Sequence, residues 1–190
     1  MRNIILQVSL YIILSNILYM KISNLENLKI VKTDLKQLET IDFDCGDDDL
    51  NEFLLKDSVD NIKNNLCTIF LCIYDEEVVG FFSLSADSIK INEKLKIRYP
   101  QYPAIKIGRL AVSKEFQDQY IGSLMIDWVV GFCRNLGNEI GIRFVSVDAY
   151  NNSKTINFYN RNQFVELESV DDNENQRNIP MYRDICEKLN

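Results

Sequence analysis

IGRLAV (residues 107–112) and QDQYIGS (residues 117–123) are the two most informative stretches of this sequence. The first is apolar enough to form a buried strand, and the second is a polar turn that leads into a helix. Apolar residues then repeat at helical spacing up to Gly137, which we expect to end the helix. A helix that begins at a turn leaves its first N–H groups unpaired and carries about half a positive charge there. The sequence therefore predicts a strand, a pyrophosphate-binding turn and a helix in direct succession.

Alternating and apolar runs predict further strands on both sides of this unit. They are residues 28–33, 66–74, 78–86, 142–150, 164–167 and 179–185. Asp75-Glu76-Glu77 joins two of them as a short hairpin. We expect residues 87–104 to form a long loop, because Pro100 and Pro103 disfavour a helix there.

Two more helices are predicted. Residues 50–62 carry a mostly helical apolar stripe of about four turns, preceded by acids at 47–49 that suit an N-cap and a first turn. Asn151-Asn152-Ser153 caps a short helix that contains Tyr159. Strands and helices alternate in this way in a mixed α/β sheet of one domain.

The composition excludes several classes of chemistry. The chain has 190 residues, of which 46% are hydrophobic, which suits one core. It has no histidine, so histidine metal ligands, a Ser-His-Asp triad and a histidine base are excluded, and we predict no metal site. Its five cysteines are odd in number and include no CxxC pair, which indicates reduced thiols and a cytoplasmic protein.

The net charge of −7 is unevenly distributed. Residues 34–60 carry ten acids against two lysines, whereas residues 88–106 carry five basic residues against one acid. Each run is explained either by a solvated face or by a charged partner, and the sequence leaves both interpretations open.

Residues 1–19 are a largely apolar leader with Arg2 near the front. Polar residues interrupt it, no small-residue cleavage site follows, and it is marginal for a membrane span, so we expect no membrane insertion. A start assigned too far upstream is our preferred interpretation, and an extra helix or a surface anchor are the alternatives. The domain itself is predicted to occupy residues 20–190.

Two motifs resemble the GNAT superfamily of acyl-CoA-dependent N-acetyltransferases. Gln117-Asp118-Gln119-Tyr120-Ile121-Gly122 is similar to the cofactor pattern Gln/Arg-x-x-Gly-x-Gly/Ala, with Tyr120 in place of the first glycine. Residues 157–164, Asn-Phe-Tyr-Asn-Arg-Asn-Gln-Phe, resemble the late helix and strand of the family, with Gln163 in the usual glycine position.

The resemblance implies a single α/β (α+β) domain. Its central sheet would be mostly antiparallel and flanked by helices, with a V-shaped opening between the two middle strands. It also implies transfer of an acetyl group from acetyl-CoA to a primary amine, with Tyr159 as the general acid toward the coenzyme A sulfur. The implied cofactor-binding residues are Leu110, Ala111 and Val112 through their backbone, Gln117, Asp118, Gln119, Tyr120, Ile121, Gly122 and Ser123 in the turn, and Asn152 and Asn157 on the cofactor arm.

A narrower likeness, from about Leu28 to Ile185, is to GNAT toxins of toxin–antitoxin pairs. It is carried by residues 43–46, 49–54, 99–103 followed by 108–112, and 179–182. The likeness implies an aminoacyl-tRNA acceptor and a small DNA-binding antitoxin as partners. The candidate tRNA-contacting residues are Lys90, Lys94, Lys96, Arg98 and Arg109, with Lys106 as a further candidate.

Other functions stay open at this point. The protein could acetylate a small amine or a peptide, or it could bind acyl-CoA without catalysis, an alternative supported by Tyr120 and Gln163 in place of glycines. The general base is undecided, with Asp148 and Glu166 as candidates by proximity. The oligomeric state is also open, a homodimer being among the alternatives.

Overall fold

The computed structural model of the protein describes residues 27–91, 101–167 and 177–186. The apolar leader 1–19 and three of the predicted tRNA-contacting residues lie outside the described residues. Those three are Lys94, Lys96 and Arg98.

A seven-stranded sheet forms the centre of the domain, with the order β1-β2-β3-β4-β5-β7-β6. Neighbouring strands are antiparallel except β4 and β5, which are parallel. The strands are β1 (Leu28–Lys32), β2 (Thr68–Tyr74), β3 (Glu77–Ile89), β4 (Tyr102–Val112), β5 (Phe144–Tyr150), β6 (Val165–Glu166) and β7 (Asn178–Asp184). The predicted mixed α/β domain is confirmed.

Helices cover both faces of the sheet. They are α1 (Leu35–Leu38), α2 (Asp48–Glu52), α3 (Ser58–Lys63), α4 (Ile121–Leu136) and α5 (Ser153–Arg161), with a 3-10 turn at Lys114–Phe116. None of the helices in the described part of the chain is long and apolar enough to cross a membrane.

The predicted helix over 50–62 is interrupted. The side chain of Asp47 caps α2 as expected, by accepting a hydrogen bond from the Leu50 N–H. A π-helical turn, Phe53–Asp57, then separates α2 from α3. The apolar stripe steps by five residues from Leu54 to Val59, where an α-helix would step by three or four, and this step matches the π-helical turn.

The predicted loop over 87–104 is wrong at both ends. Strand β3 continues to Ile89 and β4 begins at Tyr102, because the two strands pair as far as Ile89 and Tyr102. Pro103 is the second residue of β4, a position near a strand end where a missing N–H is tolerated. The β2–β3 hairpin is confirmed, with positive φ at Asp75 and Glu76, as a two-residue type I′ turn requires.

Two apolar layers hold the helices against the sheet. On one face, α4 buries Met125, Ile126 and Val129 in a cluster with Ile107 and Val145. On the opposite face, the segment from α1 to α3 packs on β2 and β3. That second layer is built by Leu38, Phe43, Leu54, Ile69, Leu71 and Phe81.

The two middle strands part after a short ladder. Strands β4 and β5 pair only over Ala104–Ile107 and Phe144–Val147. At that point β4 also carries a bulge, because Ser83 pairs with Arg109 and Leu84 with Ile107, which leaves Gly108 as the extra residue. A bulge bends its strand. The remainder of β4 therefore runs apart from β5, and the V-shaped opening lies between them.

The cysteines are free thiols. Burial raises the pKa of both Cys72 and Cys133 to about 12, so these two stay protonated inside the core. No disulfide links the described cysteines, in agreement with the reduced thiols expected from the sequence.

Candidate active site

The turn between β4 and α4 presents unpaired backbone donors. Tyr120 is the N-cap residue of α4, and no side chain in the described part of the chain caps this helix. The first helical hydrogen bond is donated by the Leu124 N–H to the Tyr120 carbonyl, over 2.9 Å. The N–H groups of residues 121–123 precede that bond and point out of the helix end, where an anion can accept from them.

Tyr120 holds the backbone shape of the glycine it replaces. Its φ is +63°, in the left-handed region, and the residue is 53% exposed. Asp118 in the same turn also has a positive φ, of +59°. Left-handed backbone costs an L-residue about 1–2 kcal/mol, and the turn has kept the conformation despite that cost. The substitution therefore leaves the arrangement of the N–H groups unchanged.

Gln117 fixes the position of this turn. Its side-chain Nε2 donates to the Cys45 carbonyl over 2.8 Å and to the Val112 carbonyl over 3.1 Å. These bonds join the turn to the end of β4 and to the segment before α2. The amide of Gln117 is thus engaged with the protein, and a direct contact of Gln117 with the cofactor stays a prediction for its backbone.

Tyr159 lies deeply buried on α5. The residue is 6% exposed, and its ring contacts those of Phe158 and Phe164 at centroid distances of 5.1 and 5.3 Å. Burial raises the pKa of its hydroxyl well above the usual value, and within the described residues no hydrogen bond contributes to that shift. The phenol therefore keeps its proton at neutral pH, as a proton donor must.

The end of α5 uses the second residue that replaces a glycine. Gln163 has a φ of +65°. Its N–H donates to the Asn160 carbonyl over 3.0 Å, and the Phe164 N–H donates to the Tyr159 carbonyl over 3.0 Å. This pair of bonds is the Schellman motif, which favours glycine at the left-handed position. The helix that carries Tyr159 therefore ends as it would with glycine.

Close packing brings α5 to the start of α4. A Cβ on Gly122 would lie 3.0 Å from the ring of Phe158, so the absence of a side chain allows this approach. Asn152 caps α5, because its Oδ1 accepts from the Thr155 N–H over 2.9 Å. Asn157 is exposed on α5. Contacts of these two asparagines with the cofactor stay predictions.

A polar cluster lies on the α2 side of the opening. Asp49 Oδ2 accepts a hydrogen bond from the Tyr150 hydroxyl over 3.2 Å and lies 3.8 Å from Arg109 Nη2. The guanidinium of Arg109 also covers the ring of Phe53, 5.1 Å from its centroid. Asp49 thus contacts residues of both parted strands. Desolvation, more than the nearby carboxylates, raises the pKa of Tyr150.

The basic residues near the opening are only partly free to bind a phosphate. Lys106 Nζ forms an ion pair with Asp148 Oδ2 at 2.5 Å, and Arg109 is held by Asp49. Lys90 is exposed after the end of β3. Among the described candidates, Lys90 is therefore the most accessible cation for an RNA backbone, and all of these RNA contacts stay predictions.

The two candidate bases differ in position. Asp148 lies just beyond the last β4–β5 pair, but Lys106 neutralises it. Glu166 is on the edge strand β6, which β7 separates from β5. In the described part of the chain, no group of three or more His, Cys, Asp or Glu side chains could hold a metal ion.

The chain matches the model of the acetyltransferase (GNAT) family over residues 32–164. It belongs to this family and is an acyl-CoA N-acetyltransferase that uses acetyl-CoA. The predicted fold, enzyme class and cofactor are thereby confirmed.

Similar proteins include toxins. A tRNA-acetylating toxin of Mycobacterium tuberculosis is 28% identical over 111 residues, which are 56% of this chain and 67% of the toxin. A mutant of the protein KacT has the same fold, with a TM-score of 0.69 and 24% identity over 81% of this chain and 94% of that one. AtaT complexed with acetyl-methionyl-tRNAfMet has a TM-score of 0.68 and 23% identity over 83% of this chain and 94% of that one.

Proposed function

We propose that this protein acetylates the α-amino group of aminoacyl-tRNA and acts as the toxin of a toxin–antitoxin pair. The observation that carries the proposal is the 28% identity to a protein named tRNA-acetylating toxin. The toxin-like fold and an opening that can be reached from the α2 side agree with it. A solved structure of an AtaT mutant bound to the C-terminus of the antitoxin AtaR and acetyl-CoA has a TM-score of 0.66 to this chain.

The backbone provides the cofactor site in this proposal. The N–H groups of residues 121–123 bind the diphosphate, because among the described residues they have neither a helical nor a side-chain partner. Residues 110–112 of β4 are not paired with β5, so their backbone can bond the pantetheine arm as an added strand would. Asn152 and Asn157 at the start of α5 border the same arm.

The chain's groups then divide the reaction between them. A backbone N–H of β4 stabilises the negative charge that develops on the acetyl oxygen when the amine attacks the carbonyl carbon. The C–S bond breaks as the amide forms, and Tyr159 donates its proton to the departing thiolate. An α-amino group has a pKa near 8, so a substantial fraction is already neutral and water can take the remaining proton. No dedicated base is needed, and Lys106 keeps Asp148 engaged.

Partners follow from the charge distribution. The exposed Lys90, together with Lys94, Lys96 and Arg98, would contact the tRNA backbone, with Arg109 nearer the acceptor end. The acidic residues of the segment 34–60 would bind a basic segment of an antitoxin. The reaction would take place in the cytoplasm, where charged tRNA is found.

Incubation of the purified protein with radiolabelled acetyl-CoA and total charged tRNA tests the proposal. We expect label on aminoacyl-tRNA, which alkaline deacylation releases as an acetylated amino acid. The Tyr159→Phe variant is the matched control for background transfer. Acetylation of polyamines or peptides without any labelling of tRNA would replace the proposal with that of a small-amine enzyme, which the acidic segment 34–60 would favour.

A further inference from the structure

A cavity of about 370 Å³, lined by both polar and apolar residues, lies on the face of the sheet that α4 does not cover. It spans the centre of the sheet, from the end of β3 across β4 and β5 to β7. Apolar residues at its edges are Ile89, Val147, Leu167, Pro180 and Met181. The polar side chains, which supply its hydrogen-bonding groups, are Asp87, Ser88, Lys90, Gln101, Lys106, Ser146 and Asp148. A volume of this size is within the range of small-molecule sites.

The cavity lies beside the point where β4 and β5 separate. Lys106 and Asp148 both line it, and they flank the Ile107–Val147 pair after which β4 and β5 separate. A group attached to an amine in the opening can therefore reach the cavity directly. The proposed cofactor approach, through the α4 turn, is on the other face of the sheet.

Hydrogen-bonding groups already form closed pairs in the lining. Lys106 Nζ contacts Asp148 Oδ2 at 2.5 Å, and the Ser146 hydroxyl donates to Asp87 Oδ2 over 2.5 Å. The Lys106 and Asp148 side chains are still 33% and 45% exposed, so water solvates this ion pair. An apolar group placed here would remove that water without replacing its hydrogen bonds, which is unfavourable.

The charges of the lining cancel. Asp87 and Asp148 are balanced by Lys90 and Lys106, so the cavity does not attract a net charge of either sign. A neutral group that donates and accepts hydrogen bonds replaces the displaced water at the least cost. A hydroxyl or a carboxamide meets this requirement.

We propose that this cavity binds the side chain of the acceptor and selects an uncharged polar one. The proposal rests on the proposed function for its acceptor class, an aminoacyl group. It adds the specificity: acceptors with a hydroxyl or carboxamide side chain are preferred over apolar acceptors of the same shape. Because the lining groups are partly solvated and mutually paired, the expected discrimination is about 10- to 100-fold, well below that of a fully buried polar pocket.

Threonine amide and valine amide are the sharpest pair of acceptors, because their side chains are nearly isosteric. We expect kcat/KM for threonine amide to exceed that for valine amide by about 10-fold or more, at a pH where both amines are largely neutral. Threonyl-tRNA and valyl-tRNA form the second arm. Equal kcat/KM values for the two amides, or no acetylation of either, would overturn the inference.

The two arms separate the inference from the proposed function. If the amides are discriminated and neither tRNA is acetylated, the tRNA proposal fails and the cavity assignment holds. If both tRNAs are acetylated equally and the amides are not discriminated, the tRNA proposal holds and the cavity assignment fails.

A double variant locates the discrimination. Lys106→Met with Asp148→Leu makes the centre of the cavity apolar, and we expect the threonine preference to fall to about 1. The matched control is Arg143→Met with Asp184→Leu, which removes an ion pair of 2.6 Å with similar exposure, 32% and 37%, that does not line the cavity. That control should keep the wild-type ratio.

Acetyl-CoA affinity and the melting temperature confirm that each variant is folded. Should the double variant not fold, Ser146→Ala removes the hydrogen bond to Asp87 without a change of charge, and it should also reduce the threonine preference. An unchanged preference in the folded double variant, or in Ser146→Ala, would show that another part of the protein selects the side chain.

Discussion

Replacement of Tyr120 by glycine should stabilise the protein without loss of cofactor binding. Relief of the left-handed backbone gains about 1–2 kcal/mol, whereas the greater freedom of glycine in the unfolded chain costs about 0.5–1 kcal/mol. Tyr120 is 53% exposed and belongs to none of the apolar clusters of the described residues, so little core packing is lost. The net gain is about 0.5–1 kcal/mol, which corresponds to a rise of about 1–4 °C in Tm for a domain of this size.

Thermal denaturation followed by circular dichroism measures this effect, and calorimetric titration measures acetyl-CoA affinity. Gln163→Gly is a second test of the same reasoning, since its φ is +65°. Asn160→Gly is the control at the same helix end, because Asn160 lies within α5 and glycine there should lower stability by a few tenths of a kcal/mol.

A lower Tm for Tyr120→Gly would show that the tyrosine side chain stabilises the turn and that its backbone is not strained. A large loss of acetyl-CoA affinity in a folded Tyr120→Gly protein would contradict the assignment of the cofactor site to backbone N–H groups. In that case the tyrosine ring itself would contact the cofactor.

Three further results are expected. Tyr159→Phe should lower kcat by about 100-fold or more, because it removes the proton donor. A stopped assay of acetyl transfer measures kcat, and the acetyl-CoA affinity should stay unchanged. Equal turnover in the variant and the wild type would show that Tyr159 is not the proton donor. Asp49→Asn should lower kcat/KM for the acceptor by about 3- to 10-fold, because Arg109 loses its ionic partner at the opening. The control, Asp48→Asn in the same helical turn, should match the wild type. Steady-state kinetics at a fixed acetyl-CoA concentration compares the three proteins. Hydrogen bonding from Lys114 is the chief cause that lowers the pKa of Asp44 to about 2, below its usual value. The contribution of this pair to the free energy of unfolding is therefore complete above about pH 4 and is lost as the pH falls toward 2. Urea titrations should show that Asp44→Asn loses less unfolding free energy than the wild type between about pH 4 and pH 2. An equal loss in both proteins would contradict the assignment.

The elements that could be predicted from the sequence are those with a local signal. The apolar repeat up to Gly137 located α4, although Gly137 has a φ of −60° and ends the helix without the left-handed conformation. The predicted β2–β3 hairpin is present, and two residues with positive φ close it. The loop over 87–104 was overestimated, because pairing between β3 and β4 extends strands whose ends carry polar residues and prolines.

The cofactor turn was predictable in the same way, since its donors are backbone groups and its residues are contiguous. The acceptor side was not. Asp49 and Tyr150 are 101 residues apart, and Lys106 and Asp148 are 42 residues apart, so neither contact leaves a pattern in one sequence. Lys106 and Arg109 were predicted to be free for RNA because their carboxylate partners are distant in sequence, Asp148 on β5 and Asp49 in α2. The one hint of the acceptor side in the sequence was the run of acidic residues at the start of α2, which faces Tyr150 at the end of β5.

The short ladder between β4 and β5 also divides the molecule in two along the chain. In the described residues, β1 to β4 with α1 to α4 come from the part before residue 137, and β5 to β7 with α5 come from the part after residue 143. The connector 137–141 is exposed, so a nick there would cut no strand and no helix. Two separately produced halves would contact each other through the four residue pairs of the β4–β5 ladder and through the apolar layer under α4. The same architecture that opens the sheet thus makes this protein suited to fragment complementation, with acetyl transfer as the signal of reassembly.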